Sequence, residues 1–379
     1  MILDLLKVRK LMKESGLDCI IATTRENVYY CSGADVGGMG LRIMPVILPL
    51  DSDPVFLVHP SGSGAGEEKM VRRISWIKDI RTYSGGEWAP LEVWKQIADV
   101  IKEKKLNAAK IGLESYYIPY PVLDYLRKEK LPSADFIDAQ LIFDKMRSVK
   151  SQEEIKILTD INMATAKAMA VAFEMARPGD TESQIAKNMM NLLLEYGAEK
   201  IKNMMLAAGP YISEPHHVSG DYKIKKGDLI HVDGGGFLKG YGSDLSRMAV
   251  VGEPSKKQQE AYKVVIKQMR DAADAMRNGV KVIEVHKVAK QSYESQTGTK
   301  YPRFFIGHST GIGGHEYPML GPFHGDWVLE PGMYFQMEPS HVASPDIRVH
   351  YEDSVVTQAM GPAKIVSEYR DTSELFVIK

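Results

Sequence analysis

Two aspartates, Asp233 and Asp244, stand eleven residues apart in LIHVDGGGFLKGYGSDLSR, residues 229–247. An apolar alternating run precedes the first and a glycine-rich tip separates them, which is the outline of a β-hairpin. A turn centred between Leu238 and Lys239 would set Asp233 directly opposite Asp244. Opposed residues on antiparallel strands have Cβ atoms ~4.5–5.5 Å apart, and two carboxylates at that spacing repel unless a cation lies between them. A divalent metal supplies that cation. Asp and Gly are also ordinary turn formers, so the pair alone favours a purely structural hairpin. The three consecutive glycines lack the GxGxxG spacing of a phosphate cradle.

The residues downstream decide between these readings. MYFQMEPSHV carries Glu338 at the end of one strand, and RVHYEDSVVT carries Glu352 just before another. Their midpoint is Pro345 in the turn-like ASPDI segment, so these carboxylates also oppose each other across a hairpin. Between the two hairpins lies IGHSTGIGGHEYP, whose glycines allow close backbone approach around His308 and His315. Four carboxylates and an imidazole suit a pair of Mn, Co, Zn or Fe ions, because bridging carboxylates neutralise and space two cations. Such ions, ~3.5–4 Å apart, activate a shared water, which makes hydrolysis the natural reaction class. HEYPM lacks the second histidine of HExxH, which disfavours a one-zinc protease helix.

The elements that must position these groups fall in two parts. A chain of 379 residues exceeds what one hydrophobic core usually serves, so two domains are expected, 1–145 and 146–379. In the first, Leu5, Val8, Leu11 and Met12 recur at helical spacing up to Gly16. Strand-like runs follow at 18–23, 46–50 and 54–58, then a helical stretch at 91–104 and a strand at 110–113, the alternation of a small α/β domain. SGSGAGEE, Ser61–Glu68, reads as a flexible surface connection. In the second, a long helical pattern runs to about Met175, and a helix capped at Asp180 or Thr181 ends at Gly197. Another helical pair spans 255–277 and 282–295. Each pair leads into strand-like segments, so the second part reads as α+β with an internal pseudo-repeat, its methionine-rich helix faces serving as core.

Composition narrows the partners. Forty-eight basic residues balance forty-nine acidic ones, leaving no net charge to attract nucleic acid or an anionic membrane. No apolar run reaches the ~18 residues of a membrane span, and charges at Asp4, Lys7, Arg9 and Lys10 interrupt any leader-like core. Two cysteines, Cys19 and Cys31, exclude a disulfide framework and a cysteine zinc site. They read as small buried hydrophobes in a cytoplasmic protein. Nine of the ten histidines lie between His216 and His350, which places the chemistry in the second part.

At these residues the chain resembles the pita-bread metallopeptidases: methionine aminopeptidase, aminopeptidase P, prolidase and their creatinase-like relatives. The resemblance spans nearly the whole chain, from LDCIIATTRENVYYCSG in a creatinase-type N-terminal domain to a catalytic domain opening near MRSVKSQEE. It implies that Asp233 chelates one metal, that Asp244 and Glu352 bridge, and that His308 and Glu338 complete the other. It further implies that His216, from PHH, and His315, from HEYP, orient substrate and stabilise the charge of a tetrahedral intermediate. Glu338 would also handle the proton of the attacking water. The implied enzyme is a homodimeric Xaa-Pro aminopeptidase or dipeptidase with two divalent ions, manganese among the candidates, acting on a small peptide.

The chain departs from the family pattern at several positions. Phe304 stands where Xaa-Pro enzymes often have a further histidine. His350 stands two places before Glu352, where an arginine is usual, with Arg348 two places earlier still. EPS replaces EPG, and SDLSR keeps a hydroxyl at Ser246. Phe304, Arg348 and His350 are therefore expected at the substrate pocket, where His cannot reproduce the bidentate fork of Arg. These changes leave open a creatinase-like hydrolase of a small non-peptide C–N compound. A non-catalytic interaction module is the alternative of a different class, although no ligand of the set is missing.

Overall fold

The computed structural model describes residues 3–36, 43–59, 66–85, 89–214 and 216–379. Two compact units appear, Met1–Arg147 and Ser148–Lys379. In the first, a six-stranded sheet runs in the order Asp79–Thr82, Val55–Val58, Val46–Pro49, Cys19–Ala22, Lys110–Leu113, Asp135–Asp138. Its central strands are buried along their whole length, which is why CIIA, VILP and VFLV read as continuous apolar runs rather than alternating ones. Helix Leu5–Glu14 begins on Asp4, whose carboxylate accepts from the backbone N–H groups of Leu6 and Lys7, the usual satisfaction of orphan donors at a helix start. Cys19 and Cys31 are both buried free thiols, and burial pushes both well above the ordinary thiol range. Of the Ser61–Glu68 stretch, residues 61–65 lie outside the described residues, while its last three open the helix Gly66–Ile74.

The second unit repeats one plan twice. Helices Gln152–Met175 and Glu182–Glu195 lead into strands Lys200–Ala208, Leu229–Leu238 and Leu245–Val251, and helices Lys256–Ala275 and Val282–Thr297 lead into Gly307–Ser309, Tyr334–Met337 and Asp353–Val356. The long helix of each pair starts with a capping box, Ser151 with Glu154 and Ser255 with Gln258, satisfying two orphan donors reciprocally. Each pair turns through a glycine in the left-handed region, Gly179 at φ 98° and Gly279 at φ 83°. The residues capping the second helices, Thr181 and Lys281, each form a lone antiparallel bridge, to Lys223 and Val328.

Each helix pair covers its own sheet. Met169, Phe173 and Met189 pack with Ile230 and Val232, while Val265, Met269 and Val285 pack with Phe335, Met337 and Val355. The methionines thus fill core, as their flexible, unbranched side chains suit them to do. The uncovered sheet faces and the strand ends are where the polar residues gather. Among the described residues, no helix is long and apolar enough to cross a membrane.

Candidate active site

The glycine-rich tip closes as a two-residue turn. Lys239 and Gly240 both have positive φ, 48° and 77°, and Leu238 pairs with Tyr241. The turn centre is one residue later than the sequence spacing predicts, so Asp233 pairs with Ser246 rather than Asp244. This correction moves the register by two, and a two-residue shift keeps every side chain on its face. Asp233 and Asp244 are diagonal neighbours on one face. Gly234 and Gly235 serve packing of neighbouring backbone: a Cβ there would lie 2.3 Å from Asn203 O and 2.2 Å from Ser243 O.

The second hairpin keeps one register from Tyr334↔Val356 through Met337↔Asp353 to Ser340↔His350. Glu338 and Glu352 occupy the step between those ladders and face each other. His308 sits on the adjoining strand, opposite Gln336. Its Nδ1 lies 2.9 Å from Ser309 O, and a carbonyl only accepts, so Nδ1 carries the hydrogen and Nε2 presents its lone pair. That nitrogen is 3.7 Å from Glu338 Oε1 and 3.7 Å from Glu352 Oε1. Behind this strand, the buried Lys150 ammonium donates to Ser309 Oγ and Glu316 Oε2, both at 3.1 Å.

Asp233, Asp244, His308, Glu338 and Glu352 line one cavity of about 640 Å³. Asp233, Asp244 and Glu352 each offer an oxygen within 4.8 Å of the others. Glu352 Oε1 is buried without a hydrogen-bond partner, an arrangement costly for a carboxylate unless a cation meets it. Burial lowers the basicity of the imidazoles: His231 is pushed down to about 3, His308 and His315 are lowered, and His350 falls well below its ordinary value. Neutral imidazoles beside clustered carboxylates are a donor set that fits divalent metal ions.

The other expected residues are placed as follows. His315 is exposed to the cavity with its ring 4.0 Å from that of His308. His216 is exposed at the rim with φ 57°. Arg348 and His350, two apart on the strand Ile347–His350, both line the cavity. Phe304 does not. It is 54% exposed and packs on Phe305 and Phe323, because the preceding Arg303 takes the inward direction, donating to Glu338 Oε2 at 2.7 Å.

Four further residues escape a reading of spacing alone. Arg303 grips Glu338 through both its side chain and its backbone carbonyl. Lys202 places its ammonium 2.6 Å from Asp244 Oδ2. His231 lies edge-on to His350, ring centroids 5.3 Å apart, and hydrogen bonds Ser246 Oγ. Glu182, fully buried, accepts from the backbone of Ala208 and Gly220 and from His217, so it ties down the loop that carries His216. Burial opposes charge on His217, but the carboxylates of Glu182 and Glu214 on its two ring nitrogens prevail and raise its pKa. In sequence Glu182 is indistinguishable from an ordinary first-turn acid.

The acidic cluster predicts a pH dependence. Without metal, burial and then the charges of Asp244 and Glu338 push Asp233 up to about 7, and Glu338 and Glu352 are raised in the same direction. In the unfolded chain these carboxyls titrate near ~4. The folded state therefore holds more protons between those values, so the stability they contribute is present below pH ~4 and lost as pH rises through ~7. The buried imidazoles act in the opposite sense, since His231, His308, His315 and His350 are held neutral in the fold and take up protons on unfolding below pH ~6.5. Both sets must be deprotonated to hold metal, so added divalent ion is expected to raise the melting temperature more at pH 7.5 than at pH 5. Thermal melts with added metal and with chelator check this; a metal-induced gain that is equal at the two pH values, or larger at pH 5, contradicts it.

Comparison with known proteins agrees with this geometry. Residues 156–359 match the model of metallopeptidase family M24, and residues 5–149 match the creatinase/prolidase N-terminal domain. A relative named Xaa-Pro dipeptidase, from Pyrococcus horikoshii, is 26% identical over 366 residues, covering 96% of this chain and 97% of that protein. The solved Xaa-Pro dipeptidase from Bacillus anthracis superposes with a TM-score of 0.83 at 25% identity, over 98% of both chains. The prolidase from Pyrococcus horikoshii OT3 gives 0.80 at 25% identity, over 97% of this chain and 99% of the other. The fold is the pita-bread arrangement that the resemblance implied, preceded by a creatinase-type domain. The matched M24 segment covers more than half the chain and carries all five clustered donors, Asp233, Asp244, His308, Glu338 and Glu352; the chain belongs to metallopeptidase family M24.

Proposed function

We propose that this protein hydrolyses the peptide bond preceding proline, as an Xaa-Pro dipeptidase or aminopeptidase, with a centre for up to two divalent ions. The observation that carries the reading is the convergence of Asp233, Asp244, His308, Glu338 and Glu352 on one cavity, in a chain whose relatives are named Xaa-Pro dipeptidases. Divalent ions held by these donors supply Lewis acidity and make water acidic enough to act as a nucleophile near neutral pH.

The chain's own residues do the rest. Glu338 has Oε2 held by Arg303, which leaves Oε1 turned to the centre to accept the proton of the attacking water. The same carboxyl returns it to the proline nitrogen as the C–N bond breaks, since that tertiary amide has no hydrogen of its own. Neutral His315 donates its one N–H toward the oxygen that gains charge. His216 binds substrate at the rim, on the loop that Glu182 ties down. Arg348 and His350 face the part of the cavity where an anionic group of the peptide would sit.

The relatives are named as peptidases, so a small C–N compound is the less favoured substrate. The reading extends, from the resemblance, to a cytoplasmic homodimer, and sedimentation of the purified protein measures its size. To test the function, metal-loaded protein is offered Xaa-Pro dipeptides, longer Xaa-Pro-Yaa peptides and matched peptides with alanine in place of proline. Cleavage confined to Xaa-Pro bonds is expected, and intact Xaa-Pro peptides after prolonged incubation would refute it.

A further inference from the structure

Among the described residues no hydrogen bond holds the His216 side chain at the rim, so its place depends on its backbone. That backbone lies in the left-handed region, at φ 57°. For a residue other than glycine this conformation is strained, and it persists only where the surroundings over-determine it. The next residue supplies the restraint. His217 Nδ1 lies 2.9 Å from Glu214 Oε2, and His217 Nε2 lies 2.9 Å from Glu182 Oε2. The His217 side chain is 13% exposed, that of Glu182 is 0% and that of Glu214 56%.

The two contacts fix the charge of the ring. Glu182 takes a backbone N–H on each oxygen, from Ala208 at 2.8 Å and from Gly220 at 2.9 Å, so it is an acceptor toward His217 as well. Glu214, more than half exposed, is an ordinary carboxylate. A neutral imidazole carries one ring hydrogen, and either tautomer would turn a lone pair onto a carboxylate oxygen. Both nitrogens therefore donate, and the ring is a cation. Tyr211 stacks on it with centroids 4.8 Å apart and planes 14° from parallel, a contact that positive charge strengthens. Tyr222 meets Tyr211 edge-on, donates to Asp228 Oδ2 at 3.0 Å and has Lys225 Nζ 6.0 Å over its ring. Glu182 thus faces His217 from the start of its helix, Glu214 and Tyr211 face it from the loop, and Tyr222 with Asp228 and Lys225 stands behind Tyr211.

We propose that His217 is a positioning residue for the substrate-binding loop: gripped as a cation between Glu182 and Glu214, it holds the strained backbone of His216 and keeps that imidazole at the rim. Through Glu182 the grip reaches the end of the strand Lys200–Ala208 and the backbone of Gly220; through Glu214 it reaches the chain two residues before His216. Loss of one ring proton sets a lone pair against a carboxylate and releases His216. Burial opposes the charge on His217, but the two carboxylates outweigh it and raise its pKa. The clamp is therefore complete below the ordinary value of ~6.5 and is lost as pH rises through the raised one. The inference rests on the proposed peptidase function for what His216 binds, whereas the clamp itself is read from proton positions and backbone order.

The test uses the full-length protein loaded with diamagnetic Zn2+ and labelled with 15N in its histidine rings, with the His217 signals assigned by their loss in His217→Gln. Near neutral pH both His217 nitrogens are expected to carry hydrogen, and Glu214→Gln is expected to move the titration to lower pH. In parallel, KM for an Xaa-Pro dipeptide is expected to stay level up to the His217 pKa and rise above it, with the rise moved to lower pH in Glu214→Gln. His217→Gln, uncharged, is expected to raise KM at least ~5-fold near neutral pH, by lowering the fraction of loops ordered for binding, with a smaller change in kcat. It is also expected to speed hydrogen exchange at the Ala208 and Gly220 amides. A singly protonated ring near neutral pH overturns the inference, as does a KM profile that Glu214→Gln leaves in place, or a His217→Gln protein with KM within about twofold of wild type. Should His217→Gln fail to fold, wild type and Glu214→Gln decide alone, the exposed Glu214 substitution then assigning His217 as the ring whose titration moves. If no Xaa-Pro peptide is cleaved, the functional reading fails, and the ring protonation and exchange rates still decide this one.

Discussion

Replacing Glu338 with glutamine is expected to lower kcat/KM for an Xaa-Pro dipeptide by ~10²–10⁴-fold, the usual contribution of a positioned proton-transfer group. Glutamine keeps the volume and the planar end of the side chain, and it still offers an oxygen. It cannot take a proton from water, and it leaves the Arg303 guanidinium, now at 2.7 Å from Glu338 Oε2, without its anion. The carboxylate also lies 3.7 Å from His308 Nε2, so the substitution weakens metal retention. Kinetics on the variant, paired with its metal content, separate the two losses. A fully metal-loaded variant within about threefold of wild-type rate would remove Glu338 from the proton transfer.

Arg247→Met is expected to cost the second unit about 3–5 kcal/mol, the range for breaking a buried ion pair from one side. Arg247 is 9% exposed and its partner Asp353 is 0%. One nitrogen donates to Ser246 O at 3.0 Å and Glu352 O at 2.6 Å, and the other to Asp353 Oδ1 at 2.6 Å and Ser367 O at 3.0 Å. Its guanidinium also lies 4.8 Å over the Tyr351 ring. Methionine fills the space and strands the Asp353 charge, to which Tyr351 OH and Ser367 Oγ still donate among the described residues. Because Arg247 also fixes the backbone of Glu352, metal binding weakens with stability. Urea denaturation measures the first; a change under about 1 kcal/mol would mean that Asp353 has found other compensation.

How much of this was visible in the sequence follows from which physics leaves a trace in residue order. Strand pairing does, because its period is two: Glu338 and Glu352 are equidistant from the Pro345 turn, and the ladder on both sides of them keeps that register. The Asp233 hairpin was misjudged by one residue at the turn, because Lys239 adopts a positive φ that non-glycine residues rarely take. The consequence was small, since the resulting shift of two preserves the face. Helix caps also leave a trace, and the paired capping boxes at Ser151 and Ser255 display the internal repeat more clearly than any apolar pattern.

Irregular backbone leaves none. Lys202 reaches Asp244 only through a bulge, and a strict alternation over residues 200–208 points it away from the site. Arg303 and Phe304 are neighbours on a segment without regular structure, so spacing cannot say which turns inward; the arginine does, to Glu338. Glu182 is a first-turn acid in sequence and a buried anchor of the His216 loop in space. The clustering of the carboxylates and His308 was thus readable from strands and turns, whereas the cations and anchors beside them required the fold.

Cleavage of the bond before proline is expected to require divalent metal on the Asp233, Asp244, His308, Glu338 and Glu352 cluster. Its most direct test is one rate, that of a single Xaa-Pro dipeptide, followed by release of free proline, with protein stripped by chelator and then reconstituted. Stripped protein is expected to lose at least ~100-fold of the activity, and stoichiometric divalent ion is expected to restore it. Proline release that continues unchanged after complete removal of metal, or none from the reconstituted protein, would contradict the account.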